Sequence, residues 1–422
     1  MVSNSAVWHI ARKGECSMST SLLYHGFGLK DYTYLRQDYK EGAIIFSVRP
    51  KSRLVCCSSC GSVEVIKRGT FTRMLRTLPI GQKPVWLNIQ APRVECCNCG
   101  IVRQIDLRIS APKRWYTNAF KTMVLGLAGM MTMLDISRWL GVGWDCVKGI
   151  VKEQLRKRYS RPNLSKLRYL AIDEISVRKG HKYLTLVMNL ESGEVLFVGD
   201  GKGAEALKPF WEMLGSGKKK KIKAVSIDLG AAYIKAVSEN LPKAKIVFDH
   251  FHVVKLMNEK LDGLRRSLYH EINDILEKKA LKGSKWILLK NPENLSDKYN
   301  ERQRLAEILK LNAPLAAAYY LKEDLRQIWA QEDKNRAGMV LQNWSKTAMT
   351  SGVRALMEIG KTIAKYRNGI LNWYEHPISS GPLEGTNNKI KTLKRQAYGF
   401  RDLEFFKLRI MNIHMATYAF TG

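Results

Sequence analysis

No run of apolar residues in this sequence approaches the roughly 20 needed to cross a bilayer, and Met1 to Glu15 lack the apolar centre of a secretion signal. That reading sets aside membrane-spanning and secreted classes and predicts a reducing, cytoplasmic setting. There is no internal repeat and no long low-complexity linker, which sets aside solenoids and tethered arrays. Acidic residues are scarce: 38 Asp and Glu face 70 Lys and Arg, for a formal net charge of +32. A modest imbalance would keep a chain dispersed, so this excess predicts a polyanionic partner. Nucleic acid leads over an anionic membrane surface, because no basic amphipathic helix stands out. What is present is material for several domains: 422 residues, 45% apolar, or two to four domains at roughly 100–200 residues each. Met18 opens the more domain-like stretch Met18-Ser-Thr-Ser-Leu-Leu-Tyr, so residues 1–17 read as an upstream extension and residues 1–45 as a lead-in.

Cysteine is used in a pattern. Cys57-x-x-Cys60-Gly61 and Cys96-x-x-Cys99-Gly100 are two matched knuckles. In a reducing compartment such pairs mean metal or redox chemistry more often than disulfides. Zinc takes four soft ligands in a tetrahedron, each CxxC turn offers two sulfurs, and the following glycine permits the turn. Ile44 to Val48 and Val85 to Ile89 read as strands, so a zinc ribbon is expected over residues 46–110. Cys56 and Cys97 adjoin the knuckles and compete as ligands, though only the chosen pairs share a Cys-Gly geometry. The alternative is a set of buried free thiols. Cys16 and Cys146 read as unrelated to the site.

Residues 111–160 turn helical. Ile136, Trp139 and Leu140 make one apolar face, Gly141-Val142-Gly143 a short turn, and Val147, Ile150 and Val151 a second face. This is helix-turn-helix spacing, which would send the second helix into a DNA major groove with Trp144, Asp145 and Lys148 leading. A helical hairpin in an ordinary core shares the pattern.

Residues 161–255 switch to strands at Tyr169 to Val177, Tyr183 to Leu190 and Glu194 to Val198, punctuated by turns at Lys179-Gly180 and Glu191-Ser192-Gly193. A helix from Ala204 to Leu214, a basic loop Lys218 to Lys221, a strand Ala224 to Asp228, a helix Ala231 to Asn240 and a strand Lys245 to Asp249 follow. A three-strand meander followed by alternating helix and strand opens a ribonuclease H-like α/β sheet. Residues 256–375 read as an all-α insertion, and 376–422 as closing helices of the core. The fold class expected is therefore multidomain α+β.

Asp173 lies in an apolar strand, where a carboxylate is costly unless it is paired or binds a cation. Asp228 ends another short apolar strand, and strand ends are where open sheets build sites. Glu174 should face the opposite side and reads as supporting. Glu384, Asn387, Asn388 and Lys391 recur at helical spacing behind Pro382, giving one face of a carboxylate, two amides and a cation. Lys394, Arg395, Arg401, Lys407 and Arg409 then interleave with Tyr398, Phe400, Phe405 and Phe406, as suits a DNA backbone and unstacked bases. Three carboxylates suit a pair of divalent ions for in-line phosphoryl transfer.

The knuckles, the helix-turn-helix, Ile172-Asp173-Glu174, Asp228-Leu229-Gly230, Asp249-His250-Phe251-His252-Val253-Val254-Lys255 and Gly381-Pro382-Leu383-Glu384-Gly385-Thr386-Asn387-Asn388-Lys389-Ile390-Lys391 together resemble the bacterial insertion-sequence transposases of the ISL-three family, over essentially Met18 to Thr421. The resemblance implies an Asp-Asp-Glu core with magnesium or manganese as the working ion, a helical insertion before the glutamate, binding to terminal inverted repeats and target DNA, and self-association as a dimer or higher on DNA. Asp249-x-x-His252 resembles a motif of related transposases that lies near the active site. His252 packing or capping at a helix start stays open beside it. Ser379-Ser380 departs from the family, which often carries an Asn before the Gly-Pro. The rival functions are a metal-dependent nuclease or resolvase without strand joining, and a non-catalytic DNA-binding regulator.

Overall fold

The computed structural model describes residues 22–178 and 182–415. Met18, the expected turn at Lys179-Gly180 and the end of the closing helical segment lie outside them. The chain divides into two compact units, with the boundary between Gln154 and Leu155. Among the described residues no helix is long and apolar enough to cross a membrane.

The first unit opens with α1 (Leu22–Phe27) and builds one five-stranded sheet. Its strands are β1 (Tyr32–Lys40), β2 (Ala43–Pro50), β3 (Val65–Ile80), β4 (Lys83–Cys96) and β5 (Val102–Gln104). The path runs β1-β2-β4-β3, with β5 on β4, and only β2 and β4 run parallel. Alternation drives β4: Val85, Leu87, Ile89 and Ala91 are buried while Trp86, Asn88 and Gln90 are not, which is the period of a half-buried strand. The lead-in contributes to this sheet. β1 carries Arg36, Asp38 and Lys40 on a mostly exposed face, so no apolar alternation marks it, yet it pairs along β2 through a two-residue turn. Glu41 (φ 50°) and Gly42 (φ 76°) both sit in the left-handed region, as a tight hairpin requires.

Three helices follow, α2 (Asn118–Leu127), α3 (Met133–Leu140) and α4 (Trp144–Tyr159). Thr132 caps α3 by accepting from the Asp135 N–H at 3.2 Å, and Gly141 (φ 62°) ends it. Ser137 Oγ donates to the Val142 carbonyl across the turn at 2.7 Å. Ile136, Leu140, Val147, Ile150 and Val151 are buried as their spacing predicts. Trp139 corrects the expected face: it is 58% exposed, one position round the helix from the buried stripe.

The second unit holds a sheet of β6 (Tyr169–Arg178), β7 (Lys182–Asn189), β8 (Val195–Asp200), β9 (Ala224–Ile227) and β10 (Lys245–Phe248) in the order β10-β9-β6-β7-β8. β6, β7 and β8 form an antiparallel meander, while β9 and β10 join β6 in parallel. Helices α5 (Ala204–Lys219) and α6 (Ala231–Asn240) make the crossovers. α5 runs past its expected end through a kink at Gly215, so Lys218 and Lys219 lie on its last turn rather than in a loop. From α7 (His250–Glu271) the chain is helical: α8 (Ile275–Leu281), α9 (Lys285–Leu289), α10 (Glu301–Leu311), α11 (Ala313–Arg326), α12 (Lys334–Thr350), α13 (Arg354–Lys365) and α14 (Arg367–Leu371). It returns to the sheet with α15 (Gly381–Gln396) and α16 (Leu403–Met411). One continuous apolar core joins the sheet to these helices, from Leu170 and Val225 to Leu315 and Ile363.

Candidate catalytic and metal-binding sites

The four expected cysteines converge. Cys57 Sγ lies 3.7 Å from Cys99 Sγ, and Cys60 Sγ 3.5 Å from Cys96 Sγ. One ligand atom from each of the four lies within 4.8 Å of all the others. Zinc–sulfur bonds of about 2.3 Å place tetrahedral sulfurs roughly 3.8 Å apart, so the donor set fits that ion. Each knuckle is the same local device. Cys57 N–H donates to the Ser62 carbonyl and Gly61 N–H to the Cys57 carbonyl; Cys96 N–H donates to Ile101 and Gly100 N–H to Cys96. Gly61 and Gly100 take φ of 77° and 68°, which closes both turns. Backbone N–H groups of Cys60 and Ser59 draw the Cys57 thiol down to about 6, while against the Ile101 N–H burial and the sulfurs of Cys96, Cys57 and Cys60 push the Cys99 thiol up to about 12, so a cation is needed to bring all four to the thiolate.

In the second unit the parallel register aligns the acids. Tyr169 pairs with Ala224 and Ala171 with Ser226; continued two residues, this brings Asp228 level with Asp173. Phe248 pairs with Ile227, which brings Asp249 level with Asp228. Asp228 and Asp249 thus follow the last residues of β9 and β10, level with Asp173 in the middle of β6, just past the stretch where β6 pairs with β9.

Their surroundings differ. Asp173 accepts the Glu174 N–H at 2.7 Å on one oxygen and Asn387 Nδ2 at 2.7 Å on the other. Burial pushes the Asp173 carboxyl above the usual range, with Asp228 and Glu174 adding to the rise and the Glu174 N–H and His252 opposing it. Asp228 folds back to accept the Gly230 N–H at 2.9 Å. A Cβ on Gly230 would sit 2.8 Å from that same carboxylate oxygen, which explains the glycine in Asp228-Leu229-Gly230. Glu174 is engaged by a different helix: Tyr233 of α6 donates to it at 3.2 Å, and Thr185 and the Gly203 N–H also meet the Tyr233 hydroxyl.

Asp249 is buried and its acceptor sites are filled. It caps α7 through the Phe251 N–H at 2.9 Å, and it accepts the Ser380 N–H at 2.6 Å and the Ser380 and Ser379 hydroxyls at 2.5 and 3.1 Å. Burial alone would raise this carboxyl, but the hydrogen bonds from Ser380 and Phe251 outweigh it and hold it below the usual range. The Ser379-Ser380 pair is therefore the partner of Asp249, and it fixes the start of α15.

Glu384 lies in the first turn of α15 and is exposed. One turn on, Asn387 is buried against Asp173, and its own Oδ1 has no hydrogen-bond partner. Asn388 and Lys391 are exposed, and Lys391 Nζ reaches Asn388 Oδ1 at 3.4 Å. Among the described residues the cysteines are the one group of three or more ligand side chains within 4.8 Å of one another. Asp173, Asp228 and Glu384 do not close to that range together. His252 lies in the first turn of α7, half-buried and close enough to Asp173 to act on its charge.

Of the residues expected to meet DNA, Trp144 is 42% exposed with Lys148 Nζ 5.1 Å from its ring centroid. Lys391, Arg395 and Arg401 are exposed and Lys394 is half-buried. The basic-aromatic sequel is partly core: Phe405, Phe406 and Arg409 are buried, Phe400 stacks on Phe406 at 4.5 Å, and Lys407 bonds Asp200. Tyr398, at φ 49°, is fully exposed.

Comparison with known proteins finds a family match in each unit. A transposase family profile, that of the DDE-type ISL3 transposases, matches residues 170–410. A second, the zinc-finger of transposase IS204/IS1001/IS1096/IS1165, matches residues 53–99. The transposase for insertion sequence element IS1001 of Bordetella parapertussis is 33% identical over 365 residues, 86% of this chain and 89% of the relative. That for IS1557 of Mycobacterium tuberculosis is 30% identical over 401 residues, 88% of this chain and 89% of the relative. The chain belongs to the ISL3 family of insertion-sequence transposases.

Proposed function

We propose that this chain recognises the terminal inverted repeats of its own insertion sequence with the first unit, and cuts and joins DNA with the second. In this reading the cysteine knuckles hold structural zinc, and α3 and α4 act as a helix-turn-helix with Trp144 and Lys148 at the groove. The second unit is a ribonuclease H-like core interrupted by the helical insertion. Asp173, Asp228 and Glu384 hold magnesium or manganese. The observation that carries it is the parallel register of β6 and β9, which extended two residues sets Asp228 level with Asp173, together with the bond from Asn387, on the helix of Glu384, to Asp173.

The donor set fits a hard divalent ion: carboxylate oxygens beside a buried amide oxygen that lacks a partner. Ionising Asp173 in its buried setting next to Asp228 is costly, and a cation would offset that cost. Bound there, divalent ions would activate a water or a 3′-hydroxyl and stabilise the leaving oxygen of an in-line displacement. The chain's own residues supply orientation. Asn387 and the Glu174 N–H hold Asp173, and the Gly230 N–H holds Asp228. Asp249 fixes the α15 N-terminus that carries Glu384, while Lys391, Lys394, Arg395 and Arg401 meet phosphates. Cutting two ends together calls for a dimer or higher assembly on DNA.

The test is cleavage and joining of a DNA fragment bearing the element's ends, with magnesium and the full-length protein. Asp228→Asn and Glu384→Gln should each lower both reactions by about 10²–10³-fold, the scale on which removing transition-state stabilisation acts, while end binding persists. Full cleavage by Asp228→Asn would overturn the assignment. Cleavage without joining of pre-cut ends would make the chain a nuclease.

A further inference from the structure

The parallel-paired segments of the three strands have two ends, and the carboxylates lie beyond one. At the other, a cation stands at the entry of each strand. Arg168 precedes β6, Lys223 precedes β9 and Lys245 begins β10. They sit side by side, since the Lys223 N–H donates to the Arg168 carbonyl and the Lys245 N–H to the Lys223 carbonyl, both at 2.8 Å. These side chains line a hollow of about 960 Å³ together with Lys166, Lys220, Lys221 and Lys243. Its one carboxylate, Glu191, is already paired with Arg168. The six lysines are exposed, and among the described residues none of them forms an ion pair. His376, with its ring 5.9 Å from that of Tyr169, closes one side.

Like charges gathered in one concavity repel, and a fold that needed only solubility would spread them over convex surface. A concave wall instead focuses their field outward, which suits a polyanion. Arg168, just before β6, and Asp173 within it are five residues apart, roughly 17 Å at about 3.3 Å per residue. A phosphate held here is therefore not the one being cut.

We propose that this basic hollow binds the phosphate backbone of a DNA segment other than the one at the carboxylates. The identity of the polyanion rests on the transposase reading above; the hollow and its charge do not. The test uses the full-length protein, Lys220→Glu/Lys221→Glu/Lys243→Glu, and the alanine counterpart, with melting curves to establish that each folds. Binding of a random-sequence duplex, without divalent metal, is titrated against salt. Each phosphate contact contributes about 0.9 to the logarithmic salt slope. The glutamate variant should therefore lose about 2–3 from that slope and at least about tenfold in affinity at physiological salt, with the alanine variant following in the same direction. Cleavage of a short end fragment should be unchanged. An unaltered slope and affinity would overturn the proposal. So would loss of tripolyphosphate binding in the variant with DNA binding intact, which would assign the hollow to a small polyanion. If the wild type fails to cleave any end fragment, the proposed catalytic function fails, while the metal-free salt slope still decides the hollow.

Discussion

The cysteines of the first unit come from two knuckles that each carry their own geometry, whereas the acids of the second come from elements far apart in the chain. Each knuckle is closed by two backbone hydrogen bonds and a glycine at positive φ within six residues. Asp173, Asp228 and Glu384 owe their placement to sheet register and to an anchor between Asp249 and Ser380, residues 131 apart. The first arrangement is closed, with four soft ligands and no open position, as structural zinc requires. The second leaves Glu384 exposed beside a half-engaged Asn387, which leaves room for a substrate. A site that only stabilises can be assembled locally. The proposed catalytic site, which would have to admit DNA, depends instead on distant supports.

The largest expected effect tests the closed site. Structural zinc supplies roughly 10–16 kcal/mol to isolated zinc-finger peptides. Here Leu75, Leu87 and Ile89 also bury a core, so the first unit should lose part of its stability and not all of it. Chelation, or Cys57→Ser with Cys96→Ser, should lower the melting transition of the first unit and abolish end binding. The transition of the second unit and its nonspecific cleavage in magnesium should remain. Two transitions falling together in calorimetry would erase the contrast between a local site and a distributed one.

The next effect tests the distributed site through its support. Asp249→Asn keeps the shape but places an amide where Ser380 N–H and Oγ donate. Hydrogen bonds to a buried charge are worth about 1.5–3 kcal/mol each, so a loss of about 2–3 kcal/mol is expected. That corresponds to roughly 5–10 °C in the melting of a unit this size. The sign with pH follows from the lowered carboxyl of Asp249. Its contribution is fully present above the unfolded value of about 3.9 and is lost as pH falls through the lower folded value. The gap between wild type and variant should therefore be constant at neutral pH and close in acid. End cleavage should fall with the anchor of α15, and an unchanged cleavage rate would show that Glu384 does not depend on it.

What could be read from the residues follows the same division. The knuckles were legible because CxxC-Gly encodes the turn that makes the site. Asp173 and Asp228 were legible as acids in apolar strands, a costly placement that demands a reason. Ser379-Ser380 was not, because its partner is Asp249, and nothing local marks a bond across the whole helical insertion. Tyr233 escaped notice for the same reason: it matters through Glu174, which it touches only in three dimensions. β1 was missed because an edge strand with a charged, exposed face shows no alternation. Phe405 and Phe406 were read with the DNA-facing residues because aromatics beside cations look alike in sequence whether they stack on bases or pack in a core. Burial separates the two, leaving Tyr398 as the exposed ring.

The smallest effect sharpens the closed site from within. Cys56 and Cys97 flank the ligands, and spacing alone left them as rivals. Shifting either knuckle by one residue would break both of its hydrogen bonds, since Gly61 N–H and Gly100 N–H meet the carbonyls of Cys57 and Cys96. The Cys97 N–H is instead spent on the Glu64 carbonyl. Cys97 is as exposed as Cys60 by class, so exposure does not distinguish them and coordination must. Cys56→Ser and Cys97→Ser should therefore leave one zinc per chain and shift stability by no more than about 0.5 kcal/mol, the usual range for a surface substitution. Cys60→Ser should release the metal. Zinc content measured on the three variants decides it, and release by Cys97→Ser would move the ion onto a different set of sulfurs and unmake the matched-knuckle geometry.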